Sequence, residues 1–212
     1  QNIKTKDKRI DLLNKYKINY VAWGKTKKNS DFSWVDLDNK KAIEKIVKYL
    51  IERKHKHISY INISEKYNFA NERKNSFLKI LKKNKITFNK NYYASVKLEE
   101  PEKSFEIIKN MLSRNKKITS IICSTEYSAL SAIKACKYLN LKIGKDISII
   151  TFDGPLVRDL STPPITAVSF PVKELGKKAI NILLNRDKKQ NKTYNFLAEV
   201  NIIDRGSVHN CK

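Results

Sequence analysis

Two apolar runs in this chain end in polar residues of the kind that hold small hydroxylated molecules. Ile118 to Ile122 leads into Ser124-Thr125-Glu126, and Ile147 to Phe152 leads into Asp153-Gly154. A carboxylate such as Asp153 accepts two hydrogen bonds from adjacent hydroxyls, and the Thr125 hydroxyl both donates and accepts. Arg73 follows a third apolar run, Ile58 to Ile63, and its loop; there a guanidinium fork can bind ligand hydroxyls or a carboxylate. Each residue also has a structural reading: Arg73 as a surface arginine, Asp153 as a turn or cap, Glu126 as a favourable charge at a helix N-terminus. The set suits reversible binding better than turnover. His55, His57 and His209 have no serine or cysteine elbow beside them, and no glycine-rich phosphate loop occurs. Cys123, Cys136 and Cys211 show no CxxC or Cys/His spacing for zinc. The chain is therefore expected not to be an enzyme, with no cofactor and no metal.

The elements that position these groups follow from periodicity. Residues 118 to 154 read as strand, helix, strand: an apolar run, then Ala129, Ile133, Cys136 and Leu139 at helical spacing, then a second apolar run. Two strands joined this way are parallel, and open parallel sheets gather ligands outside the carboxyl ends of their strands. Both polar endings thus fall on one rim. Before this unit, residues 7–16 predict a short helix, Ile18 to Ala22 and Phe32 to Leu37 two strands, and Asp38-Asn39 the cap of a long helix carrying Ile43, Ile46, Val47, Leu50 and Ile51. Ile58 to Ile63 predicts a strand, 69–84 a helix, Tyr92 to Val96 a strand, and Pro101 the start of another helix. This alternation predicts an α/β fold with helices on both faces of a parallel sheet. After Asp153 come a polar loop over 155–164, a strand Ile165 to Ser169, a helix Val172 to Leu184, a charged loop NRDKKQNKT, and one strand from Phe196 to Asp204.

At 212 residues with 41% apolar content the chain can build a substantial core. No run approaches a membrane span, and the first residues lack the apolar stretch of a signal peptide. With an odd number of cysteines, a reducing cytoplasm is expected. The formal charge of +23 raises nucleic-acid binding, but only seven of the 44 basic residues are Arg. Lysine is spread along nearly every segment together with Asn and Ile, which reads as compositional bias on solvated faces rather than as a phosphate-binding patch.

The motifs Asp38-Asn39, His55, Arg73 to Phe77, Asp146 to Asp153, Pro163 to Val168, Leu175 to Ala179 and Arg205 to Val208 resemble, in order and spacing, the effector-binding core of the LacI/GalR family of bacterial transcription regulators. The resemblance implies a periplasmic-binding-protein-like fold: two Rossmann-like subdomains with parallel sheets, joined by three crossovers, with a small effector between them. It assigns 1–56 and 170–197 to the N-terminal subdomain and 57–169 and 198–212 to the C-terminal one. On this layout the N-terminal subdomain is incomplete, lacking the helix-turn-helix headpiece and the first strands, so the chain is expected to be part of a longer protein.

What the resemblance implies for the site is an effector held by Arg73 and Asp153, with Thr125 and Glu126 at the positions where the family usually has Asn-Asp. Threonine lacks the amide, and glutamate is longer by a methylene, so the ligand class does not carry over from the family. Ser76 stands where the family's helix-opening motif has Gly. Asp38 reaches the cleft from the other subdomain, in competition with its cap role. Trp23, Trp34, Phe69, Tyr127 and Phe170 are the aromatics able to stack on a sugar, with Phe69 and Phe170 expected to face the cleft and core packing the competing reading for each. The expected function is effector binding, most simply of a sugar, and homodimerisation in a cytoplasmic regulator of operator DNA. The alternative is a solute-binding protein of a sugar transporter. An α/β enzyme and a basic nucleic-acid-binding fragment are the remoter rivals.

Overall fold

A computed structural model describes residues 2–27, 32–97, 100–185 and 193–211. The chain opens with α1 (Lys8–Lys15), β1 (Val21–Trp23), β2 (Ser33–Leu37) and α2 (Asn39–Glu52). Then strands and helices alternate: β3 (Ile58–Ile63), α3 (Asn68–Lys83), β4 (Tyr93–Val96), α4 (Pro101–Arg114), β5 (Ser120–Cys123), α5 (Glu126–Tyr138) and β6 (Ser148–Phe152). The last part holds α6 (Pro155–Asp159), β7 (Thr166–Ser169), α7 (Val172–Leu184), β8 (Asn195–Ala198) and β9 (Asn201–Ile203).

The strands form two sheets. A six-stranded sheet has the order β4-β3-β5-β6-β7-β9, and a three-stranded sheet the order β1-β2-β8. All pairings are parallel except β7 with β9. Every residue of β3, β5 and β6 is buried, the expected result for strands covered by helices on both faces. Because side chains alternate across a strand, Ile61, Ile121 and Ile149 pack with α4 and α5, whereas Tyr60, Ile122 and Ile150 pack with α2 and α3.

Packing moves one boundary. Ile43, Ile46, Val47 and Leu50 of α2 share a cluster with Ile58, Tyr60, Phe77 and Leu81, on the face of the large sheet. An N-terminal unit running to residue 56 therefore does not follow the packing; the chain crosses at Leu37–Asn39, before the helix. A second crossing lies between β7, in the large sheet, and α7, whose Leu175 and Ile182 pack with Val35 of the small one. The third separates β8 from β9, so the single strand expected over 196–204 is two short strands in different sheets, interrupted at Glu199-Val200. The loop expected over 155–164 contains α6, one turn and a half long. The first strand lies at Val21–Trp23 rather than 18–22. Most of the charged loop NRDKKQNKT lies outside the described residues.

The tail completes the large unit. Ser207, fully buried, donates from Oγ to the Ile149 carbonyl at 2.6 Å and accepts from the Thr166 amide at 2.8 Å, stitching β6 to β7.

Candidate functional site

A cavity of about 170 Å³ opens between the two sheets, where the C-terminal ends of β1 and β2 face the start of α3. Trp23, Lys25, Asp36, Asn39, Phe69 and Arg73 contribute to its wall. Gly24 turns the chain at the end of β1 with φ +104°, a conformation that favours glycine, and a Cβ there would meet Ile3 Cγ1 at 3.2 Å. The walls are tied across the gap: Lys25 pairs with Glu72 of α3 at 3.0 Å, the Asn68 amide donates to the Ile3 carbonyl at 3.0 Å, and the Thr5 amide donates to the Lys66 carbonyl at 2.9 Å.

Arg73 dominates the cavity. It is 5% exposed, so the surface-arginine reading does not hold. Its guanidinium carbon lies 3.4 Å from the Phe152 ring centroid and 4.8 Å from that of Phe69. Nε donates to Asn39 Oδ1 at 2.8 Å and Nη1 to the Ser124 carbonyl at 3.0 Å. Among the described residues Nη2 makes no hydrogen bond. Burial pulls the guanidinium pKa down to about 10, opposed by Tyr60 and Asp36, and it stays charged at neutrality.

A buried polar network supports Arg73 from below. The Ser124 hydroxyl donates to Asn62 Oδ1 at 2.8 Å and meets the Tyr60 hydroxyl at 2.9 Å. The Asn62 amide donates to the Ala70 carbonyl at 3.0 Å and the Tyr93 hydroxyl at 3.2 Å. Burial pushes the Tyr60 phenol up to about 12. Asn62 and Tyr60 are buried polar residues of β3, and the bond from the Tyr60 hydroxyl to Asn62 Oδ1 at 3.1 Å helps make that burial tolerable.

The other residues named from sequence divide. Phe69 joins Arg73 in the cavity wall. Phe170 is half-buried and packs against the clusters of both units. Asp153 closes β6 with one oxygen bound to Arg205 Nη2 at 2.7 Å. Thr125 caps α5 in a reciprocal box with Ser128. Glu126 spans to the next helix, where Oε1 accepts from the Leu156 amide at 2.8 Å; a Cβ on Gly154 would overlap its carboxylate. Asp38 caps α2 by accepting from the Lys41 amide at 2.9 Å. Of the other aromatics, Trp34 is buried beside α1 and Tyr127 is exposed. Asp36 and Asn39 complete the wall opposite Arg73, and Asp36 has one trace in the sequence: a charge inside the run Phe32 to Leu37.

A family model for the periplasmic binding protein-like domain matches residues 47–208. The chain belongs to that family. Within it, this periplasmic binding protein-like domain is of the LacI regulator type. It is 31% identical over 184 residues to the HTH-type transcriptional repressor PurR of Proteus mirabilis, covering 85% of this chain and 53% of the relative. The chain thus spans about half the length of such relatives. A regulatory protein of the LacI family from Chloroflexus aggregans is 27% identical, with a TM-score of 0.82 over 99% of this chain and 75% of that one. The transcriptional regulator CelR in complex with cellobiose shares the fold at 18% identity, TM-score 0.88, over 97% of this chain and 63% of CelR. No helix among the described residues is long and apolar enough to cross a membrane.

Proposed function

We propose that this chain is the effector-binding and dimerising part of a cytoplasmic LacI-type transcription regulator, without catalytic activity. A small polar molecule, in the first instance a sugar, enters the cavity between the two sheets and favours one degree of closure. In the whole protein, that closure sets how a homodimer presents its DNA-binding headpieces to operator DNA. The ligand must prefer one closure state, since equal affinity for both shifts nothing. The two subdomains are the small sheet with α1 and α7 and the large sheet with α2 to α6, divided at Leu37–Asn39 rather than at residue 56.

The observation that carries this reading is the buried, ring-stacked Arg73 with one terminal nitrogen unbonded among the described residues, set in a cavity of single-sugar size. Phe69 and Trp23 supply apolar faces for stacking. Asp153, Thr125, Glu126, Phe170 and Asp38 do not line this cavity and stand instead at the ends of β5 and β6 and at the crossovers; Asp153 keeps Oδ2 without a hydrogen bond among the described residues. The similarity to a transcriptional repressor favours the regulator over the transporter reading.

A thermal-shift panel of monosaccharides, disaccharides and nucleobases tests the proposal. A ligand present at a hundredfold its Kd stabilises by about 2.7 kcal/mol, which for a domain of this size raises Tm on the order of 5–10 °C. The shift should vanish in Arg73→Ala. A shift of equal size in that variant would place the binding elsewhere.

A further inference from the structure

The hydrogen bonds of Asp36, a residue without an assigned role, run to Arg73 through a single amide. Asp36 is 5% exposed and lies two residues from the crossing into α2. Both its oxygens accept: Oδ1 from the Leu37 amide at 2.9 Å, and Oδ2 from Asn39 Nδ2 at 3.2 Å. Asn39, 2% exposed, also donates from Nδ2 to the Leu37 carbonyl at 3.2 Å, while its Oδ1 accepts from Arg73 Nε at 2.8 Å. A side-chain amide has nearly the same shape when turned end for end, so its partners alone decide which end faces which way. Here two acceptors lie at the nitrogen end and one donor at the oxygen end.

We propose that Asp36 is a positioning residue of the ligand site: it locks the Asn39 amide, which holds Arg73 Nε and leaves Nη2 as donor for a neutral ligand bearing a hydrogen-bond acceptor. This deepens, and rests on, the reading of the cavity as the effector site. The Phe152 and Phe69 rings fix the guanidinium plane, and the bonds to Asn39 and Ser124 fix its rotation within that plane. Asp36 belongs to the small sheet, Arg73 and Ser124 to the large unit. The relay therefore presents the donor only while the two units keep this relative position.

The relay needs an ionised Asp36, because protonation turns one of its two acceptors into a donor. The charged groups facing it are Arg73 and Glu72 from α3 and Lys25 from the turn after β1. Burial raises its pKa to about 7, with Glu72 adding to the rise and Arg73 and Lys25 opposing it. The hold on Arg73 is thus present above about pH 7 and lost as the pH falls through that value.

The test follows hydrogen exchange of Arg73 Nε–H by NMR in the parent, in Asp36→Asn, and in the exchanged pair Asp36→Asn/Asn39→Asp. The single variant sets an amide nitrogen against one of two N–H donors, so exchange should speed up about tenfold, the equivalent of losing one charge-assisted hydrogen bond. The exchanged pair restores the path to Arg73 while leaving the Leu37 carbonyl without its donor: the carboxylate now at position 39 accepts from Arg73 Nε and from the amide at position 36, and protection should return to within about threefold of the parent. Parent protection, corrected for the intrinsic pH dependence of exchange, should fall below pH 7, and this fall should disappear in the exchanged pair. Unchanged exchange in the single variant, or no recovery in the pair, overturns the proposal. Calorimetric titration of the parent with ribose and cellobiose separates the two levels. Absence of binding there counts against the sugar reading and leaves the exchange result standing.

Discussion

Replacing Asp36 by Asn should change the pH dependence of stability in a direction opposite to the usual effect of removing a carboxylate. In the folded protein burial raises the Asp36 pKa from 3.8 to about 7. The folded state therefore binds a proton more readily than the unfolded chain. The corresponding stability is fully present below pH 3.8 and is lost as the pH rises through 7. At pH 5, two decades below the folded value, roughly 3 kcal/mol of it remains, and at pH 8 almost none. Asn has no such titration. Its misplaced donor costs about 1 kcal/mol at either pH, an offset that leaves the slope untouched. The variant should thus gain on the order of 2–3 kcal/mol on the parent between pH 5 and pH 8. Urea unfolding at pH 5, 6, 7 and 8 measures this, with fluorescence of Trp23 and Trp34, on the same side of the fold, as the signal. Other titrating groups are common to both proteins and cancel. Parallel stability curves would refute the raised Asp36 pKa and, with it, the loss of the relay below pH 7.

Other perturbations follow from single contacts. Burial lowers the His55 pKa from 6.5 to about 4, so its share of stability is present above 6.5 and lost as the pH falls from there toward 4. His55→Gln should flatten the acid limb by on the order of 3 kcal/mol in urea titrations, and a ring already charged at pH 5.5 by NMR would contradict the assignment. Gly154→Ala drives a Cβ into the Glu126 carboxylate; calorimetry should show a loss of about 2 kcal/mol, much of it recovered when Glu126→Ala is added. Ser207→Ala strands the Thr166 amide between β6 and β7 and should cost about 2 kcal/mol in the same assay. Asp153→Ala releases Arg205 and should weaken effector binding by less than Arg73→Ala does; the reverse order would put the ligand's main contact at the end of β6.

The large sheet was legible because β3, β5 and β6 are buried on both faces, a condition that favours β-branched and apolar residues and admits Ser59 and Asn62 of β3 only with internal hydrogen bonds. α2 was equally clear as a helix, with Asp38 at its cap and an apolar stripe. Which sheet that stripe covers was not, since amphipathicity names a buried face and no partner. Residues 195–203 keep an alternating pattern across Glu199-Val200, so nothing local marks the passage from one sheet to another. α6 spans five residues, too few to show a helical period. At the site, Arg73 could be singled out by position after a strand, but its burial comes from Phe152 and Asn39, 79 and 34 positions away along the chain. Glu126 could be assigned to a helix N-terminus; only folding reveals that the helix is α6 rather than its own. Asp36 sits in a strand too short for one charge to stand out.

The central measurement is calorimetric titration of the parent protein and Arg73→Ala with a ligand selected by the thermal-shift panel. If the cavity between the sheets is the effector site, the parent binds one ligand per chain and Arg73→Ala loses at least about a hundredfold in affinity, the scale of a buried charge-assisted contact. Equal affinity in the two proteins would contradict it.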